Sequence, residues 1–220
     1  MLQIIAIDLV LSGDNAVVIA LACRNLPPSQ RSRGVFWGVF GAVGLRVVLT
    51  AFAASLLGYP YLRLVGGLLL LWIGVKLLLP EGDGEPEVQA ADNLWGAVRT
   101  IIVADFVMSL DNVIAVAGAA HDSLFLLIFG LAVSIPLIVW SSQFIMKTME
   151  RFPVVVTLGA ALLGYVAGGM IVTDIALAGT GIGNFPGSKV LAGGAGAALV
   201  VAAGWLSARR QGKAEIYREL

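Results

Sequence analysis

The chain has 220 residues, of which 59% are hydrophobic and 13% charged, with 14 basic and 14 acidic side chains in balance. A soluble domain carries roughly 25% charged residues, so the composition excludes a water-soluble protein and indicates an integral membrane one. The zero net charge selects no partner, no nucleic acid is expected among the partners, and a single cysteine, Cys23, excludes an internal disulfide.

Continuous apolar windows at 2–22, 34–57, 60–79, 98–119, 123–146, 152–172 and 189–206 approach or exceed the length, about 20 residues, that a helix needs to cross a hydrocarbon core. They predict an all-α membrane protein with seven transmembrane helices. A transmembrane β-barrel would instead alternate polar and apolar residues over segments of about 10. The first window lacks the basic leader of a secretory signal and is interrupted by Asp8 and Asp14, so it reads as a retained helix with Cys23 a small apolar residue at its end. Between the third and fourth windows, "EGDGEPEVQAAD" (Glu81 to Asp92) reads as a solvated loop. His121 and Asp122 read as an exposed turn, and Ser141, Ser142 and Gln143 as groups that hydrogen-bond between helices. Gly66, Gly67, Gly159, Gly168 and Gly169 read as close-packing positions. "GTGIGNFPG" (Gly179 to Gly187) lacks the Lys-Ser/Thr of a phosphate-cradling loop and reads as an outer connection; "SARRQGKAEIYREL" reads as a basic tail at the headgroups.

With the N-terminus outside, the cytoplasmic segments collect Arg24, Arg31, Arg33, Lys76, Arg99, Lys147, Arg151, Arg209, Arg210, Lys213 and Arg218, and the outer side keeps Arg63 and Lys189. The positive-inside bias therefore sets N-terminus out and C-terminus in.

Two stretches read almost alike. "DLVLSGDNAVVIALA" from Asp8 and "DFVMSLDNVIAVAGA" from Asp105 match at 7 of 15 positions, including Asp8/Asp105, Ser12/Ser109, Asp14/Asp111 and Asn15/Asn112. "YPYLRLVGGLLLLWIGVKL" (Tyr59 to Leu77) likewise resembles "FPVVVTLGAALLGYVAGGM" (Phe152 to Met170). The repeat is thus three helices, and an odd number of crossings forces the second copy to be inverted, as in many secondary transporters. The predicted division is a first repeat at 1–79, an acidic cytoplasmic linker at 80–97, the inverted repeat at 98–172, an outer loop at 173–188, a seventh helix at 189–206 outside the repeats, and a cytoplasmic tail at 207–220.

Each carboxylate near the centre of a spanning helix costs roughly 2.5–3.5 kcal/mol, so Asp8, Asp14, Asp105 and Asp111 together represent a burden on the order of 10 kcal/mol. Protonation, a buried cationic side chain or a bound cation can offset it. Arg46, near the middle of the second helix, supplies one positive charge and is expected to partner the acids; a divalent cation would nearly close the rest. On an ideal helix Asp8, Ser12 and Asn15 share one face, and Asp14 is turned about 100° from Asn15. The same holds for Asp105, Ser109 and Asn112, with Asp111 turned aside. Either Asp14 and Asp111 face other members of the bundle, or the helices are unwound there and their carbonyls coordinate an ion. Carboxylate and amide oxygens are hard ligands suited to Mn²⁺, Mg²⁺ or Ca²⁺, and no Cys or His lies among the acids to favour Zn²⁺ or Cu⁺.

The doubled Asp-x-x-x-Ser-x-Asp-Asn, with "GDNAVVIALACRNLPP" following the first copy, resembles the TerC family of integral membrane proteins in its YjbE-type subgroup. The resemblance implies a member of the LysE-like transporter superfamily associated with Mn²⁺ export from the bacterial cytoplasm, with the family's acidic positions at Asp8, Asp14, Asn15, Asp105, Asp111 and Asn112. The family name refers to tellurium resistance, but an acidic midplane repels an oxyanion.

The expected function is secondary transport of Mn²⁺ outward across the bacterial cytoplasmic (inner) membrane, with Ca²⁺ and Mg²⁺ left open by the oxygen ligands. Asp8, Asp14, Asn15, Asp105, Asp111 and Asn112 are the expected ligands, and Ser12, Ser109 and Arg46 the supporting residues. No nucleotide motif is present, so an ion gradient would drive transport, and four clustered carboxyls invite proton coupling. The lipid bilayer, the divalent ion and protons are the partners, homo-oligomerisation is left open, and neither enzymatic activity nor an organic cofactor is expected. The alternative is a non-transporting membrane subunit in metal handling or envelope stress, whose polar residues only hold the bundle together.

Overall fold

The structure, a computed structural model, describes residues 13–51, 59–78, 86–120, 124–177 and 185–218, and the side chains of 14–49, 59–78, 93–110, 133–177 and 185–207. Seven α-helices are described: α1 (Gly13–Cys23), α2 (Pro28–Ala51), α3 (Leu62–Leu78), α4 (Pro86–Ala120), α5 (Leu124–Arg151), α6 (Val154–Val172) and α7 (Ser188–Arg218), with one 3₁₀ turn at Ile175–Leu177. One helix answers each apolar window.

Several boundaries differ from expectation, α5 running to Arg151 instead of 146 among them. α2 starts at Pro28, where a proline at the first helical position gives up an N–H that has no helical partner anyway. α4 starts at Pro86 for the same reason, so residues 86–97 of the expected linker are helical. Glu87, Gln89, Ala90 and Ala91 are good helix formers, and no further Gly or Pro interrupts them until Gly96. α7 continues to Arg218, because the polar tail is built from Ala, Arg, Gln, Lys and Glu and lacks a helix-stopping proline.

Among the described residues, Pro28–Leu49, Asn93–Leu110, Val154–Val172 and Ser188–Ser207 are long and apolar enough to cross a membrane, and Asp14–Cys23 is a shorter apolar helix. Large apolar side chains also point outward in numbers no soluble surface carries: Phe36, Phe40, Phe144, Leu158, Leu191 and Leu199 are exposed, as are all five tryptophans (Trp37, Trp72, Trp95, Trp140 and Trp205). Hydrocarbon is the solvent that makes such a surface favourable.

Inside, Leu21, Val39, Leu70, Ile101, Met108, Leu163 and Met170 belong to one buried cluster. The packing partners follow a regular exchange between the halves: α2 packs along α4 as α5 packs along α1, α3 meets α4 as α6 meets α1, and α1–α4, α2–α5 and α3–α6 pair across. α7 covers α6 and α3.

The bundle has two distinguishable ends. At one, Arg24 Nη2 donates to the Leu77 carbonyl at the end of α3 (3.0 Å), and Arg31, at the start of α2, pairs with Glu150 at the end of α5. At the other, Asp174, just beyond α6, caps the N-terminus of α3. Its Oδ1 accepts from the N–H groups of Tyr61 (2.9 Å) and Ala176 (2.8 Å), and its Oδ2 from that of Leu64 (2.9 Å). The cap satisfies donors that the first turn of a helix leaves orphaned and holds Tyr61 at φ 66°, in the left-handed region.

Burial alone would push the Asp174 carboxyl up, but the backbone N–H groups of Leu64, Ala176, Tyr61 and Arg63 outweigh it and hold it below its ordinary 3.8. A depressed carboxyl stabilises the fold fully at neutral pH. The contribution is lost only below about pH 4, as protonation passes from the ordinary value towards the lower folded one. Asp174→Ala is therefore expected to cost about 1–2 kcal/mol at pH 7 and progressively less as the pH falls below about 4, measured by thermal unfolding in detergent. A cost independent of pH would show that the charge is irrelevant.

α6 and α7 approach closely because glycines face each other. A Cβ at Gly164 would meet Gly196 O at 2.5 Å, and one at Gly168 would run into Ala192 O. The expected close-packing role thus holds at Gly168, and also at Gly67, where a Cβ would meet Ile171 at 2.6 Å, and at Gly159, where it would meet Val17 at 2.8 Å. Among the described residues, Ser141 and Ser142 do not bridge helices as expected. They donate to the carbonyls of Ile138 (3.1 Å) and Val139 (2.9 Å) in their own helix, the usual outlet for a hydroxyl on a helix in apolar surroundings.

Candidate functional site

α1 and α4 carry the doubled motif and pack against each other, each also touching helices of the opposite half. On α4, Asp105 and Ser109 lie one turn apart, and Ser109 Oγ donates to Asp105 Oδ2 (3.1 Å). Arg46 reaches across from α2: Nη2 donates to Asp105 Oδ1 (2.5 Å) and Nε to Ser109 Oγ (3.1 Å). Arg46 is 4% exposed, Asp105 5% and Ser109 0%. A buried ion pair persists only when its hydrogen-bonding capacity is largely met, and the bonds within this triad supply part of that capacity. Arg46 thus pairs with one of the acids, and Ser109 holds the same carboxylate. Asp105, expected as a cation ligand, has one oxygen held by Arg46 and the other by Ser109.

Asp14 is placed differently. It stands in the first turn of α1, where its Oδ1 accepts the N–H of Asn15 (2.9 Å), and it lines a cavity of about 470 Å³. The other wall residues are Met108 of α4, Arg63 of α3, Tyr165, Val166 and Gly169 of α6, Thr173 beyond it, and Lys189 of α7. The cavity therefore belongs to the end of the bundle that Asp174 caps. The 100° turn between Asp14 and Asn15 separates their surroundings. Asn15 is 5% exposed, and neither its Oδ1 nor its Nδ2 has a hydrogen-bond partner among the described residues. An unpaired buried carboxamide costs roughly 1–3 kcal/mol and calls for a ligand or partner.

Asp8 and Ser12 lie outside the described residues, as do His121, Asp122 and most of the Gly179 to Gly187 loop. Asp111 and Asn112 are within α4, which is continuous through Ser109 to Asn112, so the second copy of the motif is wound helix; their side chains lie outside the described residues. Among the described residues no three His, Cys, Asp or Glu side chains converge on one point. The described groups are one carboxylate that lines the cavity, one buried carboxamide turned away from it, and an acid paired with arginine.

Sequence reasoning did not connect Met108, Tyr165 and Thr173 with the site. The signal that did exist was charge: Arg63 and Lys189, the two basic residues assigned to the outer side, both line the cavity.

The model of the integral membrane protein TerC family matches residues 1–212. The chain is 47% identical over 174 residues to the uncharacterized membrane protein YjbE of Bacillus subtilis (strain 168), a match covering 79% of each chain. It is 26% identical over 174 residues to the inner membrane protein YgdQ (UPF0053) of Escherichia coli (strain K12), covering 71% of this chain and 73% of that one. No solved structure matches it. The doubled acidic motif, the lipid-facing apolar surface and a family match over nearly the whole length agree: the chain belongs to the TerC family of integral membrane proteins, with a YjbE-type relative among its matches.

Proposed function

We propose that the chain is a secondary transporter that exports a divalent cation, Mn²⁺ first among them, across the bacterial cytoplasmic membrane. The observation that carries this reading is the cavity that ends on Asp14 beside the unpaired carboxamide of Asn15. Both offer hard oxygen donors, and the inverted copy would add Asp111 and Asn112 from α4. Arg46 offsets the charge of Asp105, and one arginine against the four acids of the doubled motif leaves a negative surplus to attract a cation.

The seven-span, inverted-repeat architecture is part of the same reading, supported by the exchange pattern of helix contacts between the halves. Orientation follows from charge: Arg24, Arg31, Arg33, Lys76, Lys147 and Arg151 gather at the end opposite the cavity, which favours that end as cytoplasmic. The N-terminus is then outside, and the described state opens outward. The Arg31–Glu150 pair and the Arg24–Leu77 contact tie the cytoplasmic end together.

Purified protein in liposomes is expected to move Mn²⁺ down a gradient, and Asp14→Ala to reduce the flux by 100-fold or more, on the order of the loss from removing a charged ligand in a dry site. Competition by Ca²⁺ and Mg²⁺ in the same assay fixes the cargo. Unchanged flux in Asp14→Ala would remove the site, whereas no Mn²⁺ flux in the wild type would favour a non-transporting subunit.

A further inference from the structure

A cation exporter has to let go of its cargo on the outer side, and the wall of the outer cavity contains an unexpected feature for a path to an acidic site: two fixed positive side chains. Arg63 is committed, its Nη1 donating to the Thr173 carbonyl (3.2 Å) at the C-terminal end of α6. Lys189 is not; it is exposed in the first turn of α7 and makes no hydrogen bond or ion pair among the described residues. Its stem is nevertheless placed. A Cβ on Gly169 would lie 3.3 Å from both Cγ and Cε of Lys189, so the methylenes lie across the bare backbone of α6, where any larger residue would crowd them. Gly169, expected to pack helix against helix, makes room for a lysine instead. Lys189 and Asp14 line the same cavity.

We propose that Lys189 is a tethered counter-cation for Asp14: its ammonium takes over the carboxylate when the divalent ion leaves and opposes rebinding from outside. A sphere of 470 Å³ is about 10 Å across, close to one Debye length at about 0.1 M salt, so the ammonium acts on the cargo site across the whole cavity with limited screening. Lysine suits this role. Its ammonium is a compact point charge on a flexible stem, able to swing between solvent and carboxylate, whereas the guanidinium of Arg63 is held by a backbone carbonyl. Lys189 acts through Asp14 and is a positioning residue, not a ligand.

The inference rests on the cation site proposed at Asp14, and the test separates the two. Mn²⁺ binding to the purified full-length chain is titrated calorimetrically at low salt. Lys189→Gln is expected to bind on the order of tenfold tighter than wild type, and Lys189→Arg to stay within about twofold of it. Lys189→Cys should also bind tightly. Reaction with 2-aminoethyl methanethiosulfonate, which joins the thiol to an aminoethylthio group and releases methanesulfinate, should return it to wild-type affinity. Methyl methanethiosulfonate, which adds a neutral group, should not. The other cysteine, Cys23, is buried and out of reach of either reagent. Unchanged affinity in Lys189→Gln, or equal effects of the charged and neutral reagents, overturns the role of Lys189 provided that Asp14→Asn loses binding. If Asp14→Asn binds Mn²⁺ as wild type does, the site itself is wrong and the inference falls with it.

Discussion

Arg46→Met is expected to lower the stability of the folded protein by about 3–5 kcal/mol, the cost of leaving one member of a buried ion pair unpaired. The side chain is 4% exposed, and it supplies the hydrogen bond to Asp105 Oδ1 and one to Ser109. Methionine fills the volume but removes the positive charge and the hydrogen bonds that Arg46 gives to Asp105 and Ser109. The companion substitution Asp105→Asn removes the stranded charge, so the double variant should recover most of the loss. Thermal unfolding in detergent measures both, with the interaction energy read from the double-mutant cycle. A loss under about 1 kcal/mol in Arg46→Met would mean that the pair contributes no more than a surface salt bridge.

The second large effect is steric. Gly168→Leu puts a Cβ into the carbonyl oxygen of Ala192 across the α6–α7 contact, and backbone on both sides gives it nowhere to move. Overpacking typically costs 1–3 kcal/mol, and a clash with backbone belongs at or above the top of that range, about 3 kcal/mol or more. Gly194→Leu, on the same interface helix, is the control: nothing lies within 4 Å of the Cβ it would add. Gly168→Leu is expected to lose monodisperse folded protein in size-exclusion chromatography while Gly194→Leu retains it. Equal behaviour of the two would show that α6 and α7 do not need their close approach.

Much of the architecture is visible in the sequence because its causes are local. Apolar runs mark the described helices, and four of them are long and apolar enough to cross a bilayer, since both the hydrocarbon thickness and the helical rise are fixed. The boundaries were missed where polar residues with high helix propensity extend the helix beyond the apolar run, as at Pro86 and beyond Ser207. At the site, the spacing of Asp14 and Asn15 already separated them by 100°, and the structure gives that angle its consequence: the carboxylate lines the cavity, and the carboxamide is buried. The serines of α5 show the opposite case. A hydroxyl in a helix has a carbonyl of its own within reach, so the polarity of Ser141 and Ser142 does not reveal an interhelical partner.

By itself the sequence determined that this is a helical membrane protein of the TerC family with a polar motif written twice, because composition, run length and i-to-i+4 spacing act within single helices. Only the tertiary structure showed that Asp105 is paired with Arg46 and that Asp14 lines a cavity. Arg46 and Asp105 are 59 residues apart and Asp174 and Tyr61 113, and such pairs form only when particular helix faces meet. Whether Asp14 faces a cavity or a neighbour, and whether Lys189 lies along Gly169 or in solvent, likewise depends on how the helices are rotated against one another. That rotation is fixed by the sum of many small side-chain contacts across the bundle, information that no single stretch of the chain contains.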